Sequence, residues 1–181
     1  AKKKYILATI CIGLIFLAGI IVSTPYRLQR VKTFLNPTEE SQGSGYQLNQ
    51  AVITIGSGGI FGVGYGQSTI KTSLPERMGD SIFAVISEEF GFIGSVFLIF
   101  LFFALVTRGF LLSKRSRDGF GRLLLVGFST IIGLQVFIHI GGNSGLVPLT
   151  GVPLPFISLG GTSLAVFMTM SGIMLNISKK I

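Results

Sequence analysis

The stretch SIFAVISEEFGFIGSVFLIFLFFALV, residues 81–106, decides the fold. A membrane-spanning helix needs about 20 consecutive, mostly apolar residues, and this run is too long for a buried strand. Similar apolar stretches occur at 5–23, 123–142 and 157–177. The sequence therefore predicts an all-α, polytopic membrane helix bundle with four transmembrane helices.

The composition supports a membrane protein. Hydrophobic residues make up 49% of the chain and charged residues 12%, and the mean hydropathy is +0.71. This leaves too little polar surface to cover a soluble globule, so we expect a single membrane domain over 1–181. The net charge of +8 would indicate nucleic-acid binding in a soluble protein. Here membrane topology accounts for most of it, and we expect no nucleic-acid partner.

Lysine and arginine indicate the orientation, because short cytoplasmic loops retain positive charge. Short segments at the two termini and between spans two and three hold ten basic residues: Lys2, Lys3, Lys4, Arg108, Lys114, Arg115, Arg117, Arg122, Lys179 and Lys180. The segment 143–156, on the other side, has no charged residue. The pattern predicts cytoplasmic termini and one long outer loop at 24–80.

The outer loop is not of low complexity, and loops longer than about 15 residues are commonly functional or disordered. Arg27 and Arg30 interleave with apolar residues, which is compatible with membrane-surface anchoring or with a site for a lipid-linked pyrophosphate. Residues 46–55 are predicted to form an amphipathic helix with Leu48, Ala51, Val52 and Ile55 on its apolar side. Gln47, Gln50 and Thr54 lie on its polar side. Their amide and hydroxyl groups suit sugar hydroxyls, and a solvated face explains them equally well.

A glycine-rich segment, residues 56–66, follows this helix. Its glycines let the backbone run close to a ligand or fold back into a bundle. The spacing of a phosphate-binding loop is absent, which excludes a nucleotide site of that kind.

Asp80 stands at the start of the second span. Helical spacing places Ser87, Gly91 and Gly94 beneath it as a stripe of small residues. Glu88 and Glu89 lie about two turns into the span, where acids must face protein or water and are functional candidates. From the pattern alone, Asp80 is either a helix N-cap or a functional residue.

The segment from 141 to 163 has prolines and glycines that preclude a helix, yet it is too apolar for an ordinary exposed loop. A re-entrant segment that dips into the protein at membrane depth fits best. His139, just before it, is more typical of a helix-to-helix hydrogen bond than of a ligand. The single cysteine, Cys11, gives no disulfide framework and no metal-ligand spacing.

Three motifs occur in order: GSGGIFG at 56–62, GDSIFAVISEEFGFIG at 79–94 and PLTGVPLPFISLGGTS at 148–163. Together they resemble the bacterial SEDS family, membrane glycosyltransferases of the FtsW/RodA type, over nearly the whole chain from Tyr26 onward. The forms YQLNQA and GDSIFA look more like the FtsW branch. The resemblance covers only the C-terminal portion of family members, so we expect this chain alone to be inactive.

The resemblance implies a peptidoglycan glycosyltransferase of the bacterial cytoplasmic membrane, active in cell division or cell-shape maintenance. It would polymerise lipid II, the undecaprenyl-linked disaccharide peptide, through β-1,4 bonds with release of polyprenyl pyrophosphate. Its implied partners are a class B penicillin-binding protein and other divisome or elongasome membrane proteins. Whether a divalent cation assists is left open.

Residue by residue, Asp80 matches the family's essential aspartate, and the resemblance implies that it is the catalytic base. The substrate-binding candidates are Arg27, Arg30, Lys71, Arg77, Gln47, Gln50, Glu88, Asn143 and Ser158. Of these, the four cations would offset charge on the departing pyrophosphate. The family's Ser-Tyr-Gly-Gly-Ser is replaced by Ser158-Leu159-Gly160-Gly161-Thr162, which removes a phenol and keeps the glycines.

Two other functions use the same features. A flippase or transporter of a lipid-linked precursor would use glycine-broken segments and intramembrane acids to alternate access. A structural scaffold of the division machinery would need no acid for glycan synthesis.

Overall fold

The computed structural model describes Ile12, residues 44–68 and residues 79–179. The chain separates into two compact units, Ala1–Gln47 and Leu48–Ile181. The predicted span at 5–23 lies outside the described residues, apart from Ile12. A single membrane domain stays a prediction.

The described residues form four helices: α1 Ser44–Ser57, α2 Ile82–Arg115, α3 Gly119–Asn143 and α4 Gly161–Ser178. No strand occurs in the described ranges. Helices α2, α3 and α4 are long and apolar enough to cross a membrane. The all-α membrane fold is confirmed, and three of the four predicted spans correspond to helices.

Two span boundaries differ from the sequence prediction. Helix α2 continues beyond residue 106 to Arg115, because cations are good helix formers and suit the C-terminal end of a helix. Helix α4 begins at Gly161 and not at 157. The residues before it form the turn that carries Ser158.

Helix α1 confirms the predicted amphipathic segment but corrects its buried side. Leu48 and Ala51 are buried as predicted, whereas Val52 is 45% exposed and Thr54 is buried. Thr54 lies one turn before Gly58, and a Cβ on Gly58 would overlap the backbone of α2. The part of this side nearest to the close contact therefore carries the small residues Ala51 and Thr54.

Helix α2 is broken at Gly91, which has φ 67° and ψ −164°. This backbone conformation strongly favours glycine. The predicted stripe assumed a regular helix through Gly94, and that assumption is wrong at Gly91. Beyond the break, residues 92–115 extend about 36 Å at 1.5 Å per residue, enough to cross a hydrocarbon core of about 30 Å.

The glycine-rich segment supplies the hydrogen bonds that the break would leave unmade. The N–H groups of residues 63 and 64 donate to the carbonyls of Glu88 and Glu89 at 2.9 and 3.1 Å. In return, the N–H groups of residues 92 and 93 donate to the carbonyls of residues 59 and 60 at 2.9 and 3.3 Å. Unpaired backbone groups are costly at membrane depth, so this exchange allows α2 to bend inside an apolar environment.

Helices α2, α3 and α4 share one apolar core with the segment that joins α3 to α4. Its buried members are Phe102, Leu125, Ile132, Val136, Leu154, Phe167 and Met174. A Cβ on Gly109 of α2 would overlap Ser129 of α3, so the two helices approach closely there.

The segment between α3 and α4 folds back along α3. Gln135 Nε2 donates to the Pro153 carbonyl at 3.1 Å, and Leu154 and Pro155 are fully buried. Gln135 lies about 12 Å before the end of α3 at 1.5 Å per residue. The predicted re-entrant course is therefore confirmed.

Candidate functional site

Asp80 precedes α2, at the end opposite Lys114 and Arg115. Its side chain is exposed. The N-cap residue of α2 is Ser81, whose side chain makes no capping hydrogen bond. Asp80 is therefore not the N-cap, and the alternative interpretation from the sequence is wrong.

Two polar side chains hold the backbone at Asp80. Asn143 Nδ2 donates to the Asp80 carbonyl at 3.1 Å. Ser158 Oγ donates to the Gly79 carbonyl at 3.0 Å and accepts from the Leu154 N–H at 2.7 Å. Two consecutive peptide carbonyls are thus fixed by residues from distant parts of the chain.

Asn143 belongs to a line of polar side chains on α3, spaced four residues apart. We call Gln135, His139 and Asn143 the polar face of α3. His139 Nδ1 lies 2.6 Å from the Val152 carbonyl. A carbonyl can only accept, so Nδ1 carries the proton in this contact. The polar face therefore binds both the re-entrant segment and the backbone of Asp80.

Gly151 brings the re-entrant segment against the catalytic candidate. It has φ +68°, and a Cβ built on it would lie 3.4 Å from Asp80 Oδ2. Since His139 holds the carbonyl of the next residue, Val152, the polar face of α3 also sets where Gly151 meets the carboxylate.

The turn that carries Ser158 contains a strained residue. Phe156 has φ 65°, a conformation that is a genuine outlier for a bulky residue. Its ring packs on Phe167 of α4, with centroids 5.7 Å apart. Strain of this kind persists only where the surroundings over-determine it, so the position of Ser158 is strongly specified.

The polar face of α3 carries two unpaired acceptors. His139 and Asn143 are 3% and 1% exposed, and among the described residues His139 Nε2 and Asn143 Oδ1 have no hydrogen-bond partner. An unsatisfied buried polar group costs about 1–3 kcal/mol. Packing alone would favour apolar side chains at these two positions.

Glu88 lies in a separate cluster further along α2. Its carboxylate is 1% exposed and accepts hydrogen bonds from Ser68 Oγ and from Ser57 Oγ, the second at 3.4 Å. Glu89 is also buried. Both acids face protein, as predicted. Glu88 joins Ser57, at the start of the glycine-rich segment, to Ser68, just beyond its end.

The other substrate-binding candidates lie in different parts of the chain. The structure brings Asn143 and Ser158 to Asp80, while Gln47 and Gln50 lie on α1 with half-buried side chains. The four cationic candidates, Arg27, Arg30, Lys71 and Arg77, lie outside the described residues. A contact of any of these residues with substrate stays a prediction.

Sequence reasoning missed Gln135 and Gly151, and expected His139 to bond to another helix. Its partner is the re-entrant segment instead. The signal that could have found this face is the four-residue spacing of Gln135, His139 and Asn143, which places three polar side chains on one side of an apolar helix.

In the described ranges, no group of three or more His, Cys, Asp or Glu residues could hold a metal ion.

Comparisons with known proteins identify the family. The family described as "Cell cycle protein" (FTSW_RODA_SPOVE) matches residues 1–181. "Stage V sporulation protein E" of Bacillus subtilis (strain 168) is 44% identical over 93% of this chain and 46% of its own length. "Probable peptidoglycan glycosyltransferase FtsW" of the same organism is 45% identical over 91% of this chain and 41% of its own length.

A solved structure agrees with these relatives. A chain from "Structural coordination of polymerization and crosslinking by a peptidoglycan synthase complex" aligns with a TM-score of 0.76 and 28% identity, over 99% of this chain and 49% of that chain. The present chain thus spans about half the length of the relatives it matches. Its motifs, fold and relatives agree, and the chain belongs to the FtsW/RodA/SpoVE family of membrane proteins.

Proposed function

We propose that this chain carries the catalytic aspartate of a peptidoglycan glycosyltransferase that polymerises lipid II. One observation carries the proposal: Asp80 is an exposed residue, while its backbone is fixed from α3 and from the re-entrant segment. A general base must reach the proton that it removes and must be held in a defined geometry. Two relatives are named "Probable peptidoglycan glycosyltransferase FtsW", at 45% and 39% identity, which supports the proposed activity.

The chemistry requires one proton acceptor. A hydroxyl of the acceptor sugar attacks the anomeric carbon of the donor sugar. The bond from that carbon to the pyrophosphate oxygen breaks, and polyprenyl pyrophosphate leaves with the bonding electrons. Asp80 accepts the proton of the attacking hydroxyl. Lys71 and Arg77, close to Asp80 in sequence, would offset the charge on the leaving pyrophosphate.

The setting follows from the same proposal. The protein lies in the bacterial cytoplasmic membrane with both termini inside, so that Asp80 meets lipid II on the outer side. Since the structural relative comes from a peptidoglycan synthase complex, the proposed partner is a class B penicillin-binding protein.

The test is lipid II polymerisation by this chain co-expressed with the N-terminal half of its Bacillus subtilis sporulation relative, the complemented enzyme. We expect polymer from the wild type and a loss of about 10²- to 10⁴-fold in rate from Asp80→Asn, because the amide cannot take the proton. Melting temperature and partner binding should not change. The absence of polymer from the wild type, or near-normal polymer from Asp80→Asn, would overturn the proposal.

Asp118→Asn is the matched control. Asp118 is the N-cap of α3, and its carboxylate accepts hydrogen bonds from the N–H groups of residues 120 and 121. Asn caps helices about as well as Asp, so Asp118→Asn should keep both stability and polymerisation. A flippase would instead move lipid II across vesicles without forming polymer.

A further inference from the structure

We propose that the polar face of α3 and Ser158 are positioning residues, which set the location of the Asp80 carboxylate for proton transfer. The inference rests on the proposed function of Asp80 as the base. It gives these residues a role in the rate of the chemical step and not in binding the substrate.

The direct contacts are to the carbonyls of the two peptide groups that flank the Cα of Asp80. Asn143 holds the carbonyl of Asp80 and Ser158 holds the carbonyl of Gly79, at 3.1 and 3.0 Å. Ser158 also accepts a hydrogen bond from Leu154, so its hydroxyl is engaged within the protein as both donor and acceptor. These bonds fix the peptide from which the Asp80 side chain projects.

The indirect contacts hold the part of the re-entrant segment that lies beside the carboxylate. His139 and Gln135 hold consecutive carbonyls, those of Val152 and Pro153. The preceding residue, Gly151, lies next to the Asp80 carboxylate, since a Cβ built on it would be 3.4 Å from Oδ2. The same face of α3 therefore supports the reacting group from the backbone side and from the carboxylate side.

The polar face of α3 carries buried polar atoms that packing of the helices does not require. His139 Nε2 and Asn143 Oδ1 are buried and unpartnered in the part of the chain that the structure describes. Asn143 Nδ2 also donates to the His139 carbonyl within α3, at 2.9 Å. Beyond that bond, each of the two side chains keeps one acceptor unpaired and donates to a carbonyl near the carboxylate, that of Asp80 itself or that of Val152 beside Gly151, which favours a positioning role.

Kinetics of the complemented enzyme test the direct contacts. Asn143→Ala and Ser158→Ala should each lower kcat for lipid II polymerisation by about tenfold to a hundredfold, the scale of a misplaced catalytic group. KM should change less than twofold. Ser129→Ala is the matched control, because Ser129 is a buried serine of α3 with an unpartnered hydroxyl that faces Gly109. It should leave kcat unchanged.

His139 offers a sharper comparison. An Asn side chain can place its amide nitrogen where Nδ1 lies and can still donate to Val152, whereas Gln places its amide where Nε2 lies. We expect His139→Asn to retain most of kcat and His139→Gln to lose about tenfold or more. Equal losses from both variants would overturn the role assigned to the His139–Val152 bond.

A thiol probe measures position without activity. In a Cys11→Ser background, Asp80→Cys is alkylated with a small maleimide, and the rate is compared after adding Asn143→Ala, Ser158→Ala or Ser129→Ala. We expect the first two to change the rate severalfold and Ser129→Ala to leave it unchanged.

The outcomes separate the inference from the proposed function. Near-normal polymerisation by Asp80→Asn would show that Asp80 is not the base and would overturn the proposed function. Loss of polymer in Asp80→Asn, together with a normal kcat and an unchanged thiol rate in Asn143→Ala and Ser158→Ala, would overturn only the positioning role.

Discussion

At the scale of the residue, Gly151 tests whether contact with the Asp80 carboxylate matters. Gly151→Ala places a Cβ 3.4 Å from Asp80 Oδ2 and forces alanine to φ +68°, a left-handed conformation that costs about 1–2 kcal/mol. We expect a modest fall in melting temperature and a fall in polymerisation of about tenfold or more, because the added methyl group lies against the carboxylate and limits its approach to the acceptor sugar.

The control for this variant is Gly145→Ala. Gly145 lies in the same segment with φ +72°, and its added Cβ would meet Leu48 and Val52 at ordinary distances of 3.8 and 3.9 Å. It should show the same loss of stability without the loss of polymerisation. Equal catalytic losses in the two variants would show that backbone strain, and not contact with Asp80, is the cause.

The sequence predicted the location of single residues better than their contacts. The motif singles out Asp80, and hydropathy places it at the start of a span, as the structure shows; its catalytic role stays a prediction. The contacts of Asn143 and Ser158 with Gly79 and Asp80 could not be predicted, because they join residues more than sixty positions apart. These residues come together only because the re-entrant segment folds back along α3.

At the scale of the element, the contact between the glycine-rich segment and the break in α2 is the feature to test. A Cβ on Gly62 would overlap the Glu89 carbonyl and push apart the segments that exchange four backbone hydrogen bonds. At about 0.5–1.5 kcal/mol for each bond, we expect Gly62→Ala to lower the free energy of unfolding by roughly 2–6 kcal/mol.

Gly66→Ala is the control that separates the cost of steric overlap from the cost of backbone strain. Gly66 also has a positive φ, +80°, and an added Cβ would meet nothing within 4 Å. Its cost should be limited to about 1–2 kcal/mol. Denaturation of the purified chain in detergent, followed by circular dichroism, measures both variants. A Gly62→Ala variant as stable as Gly66→Ala would contradict the exchange as a source of stability.

Helix α2 shows which structural features helical periodicity can predict and which it cannot. Hydropathy located α2 because its apolar run is long, but the same periodicity treated Gly91 as an ordinary helical position. The break depends on the returning backbone of the glycine-rich segment, which pairs with Glu88, Glu89, Phe92 and Ile93. A local pattern contains no information on such a tertiary partner.

At the scale of the whole molecule, topology decides whether Asp80 can meet a substrate outside the cell. The five basic residues between spans two and three, Arg108, Lys114, Arg115, Arg117 and Arg122, lie in the last part of α2, the link and the start of α3. Asp80 lies at the opposite end of α2. Positive charge retained on the cytoplasmic side would therefore place Asp80 on the outer side.

Cysteine labelling of intact cells measures this orientation. In a Cys11→Ser background, we expect Ser41→Cys, in the predicted outer loop, to react with an impermeant maleimide. Ser116→Cys, in the basic link between α2 and α3, should react only after the membrane is permeabilised. Permeabilised cells provide the control that both thiols are reactive. The reverse pattern would place Asp80 on the cytoplasmic side, where it could not act on lipid II at the outer face. That result would contradict the proposed function even if Asp80 were essential.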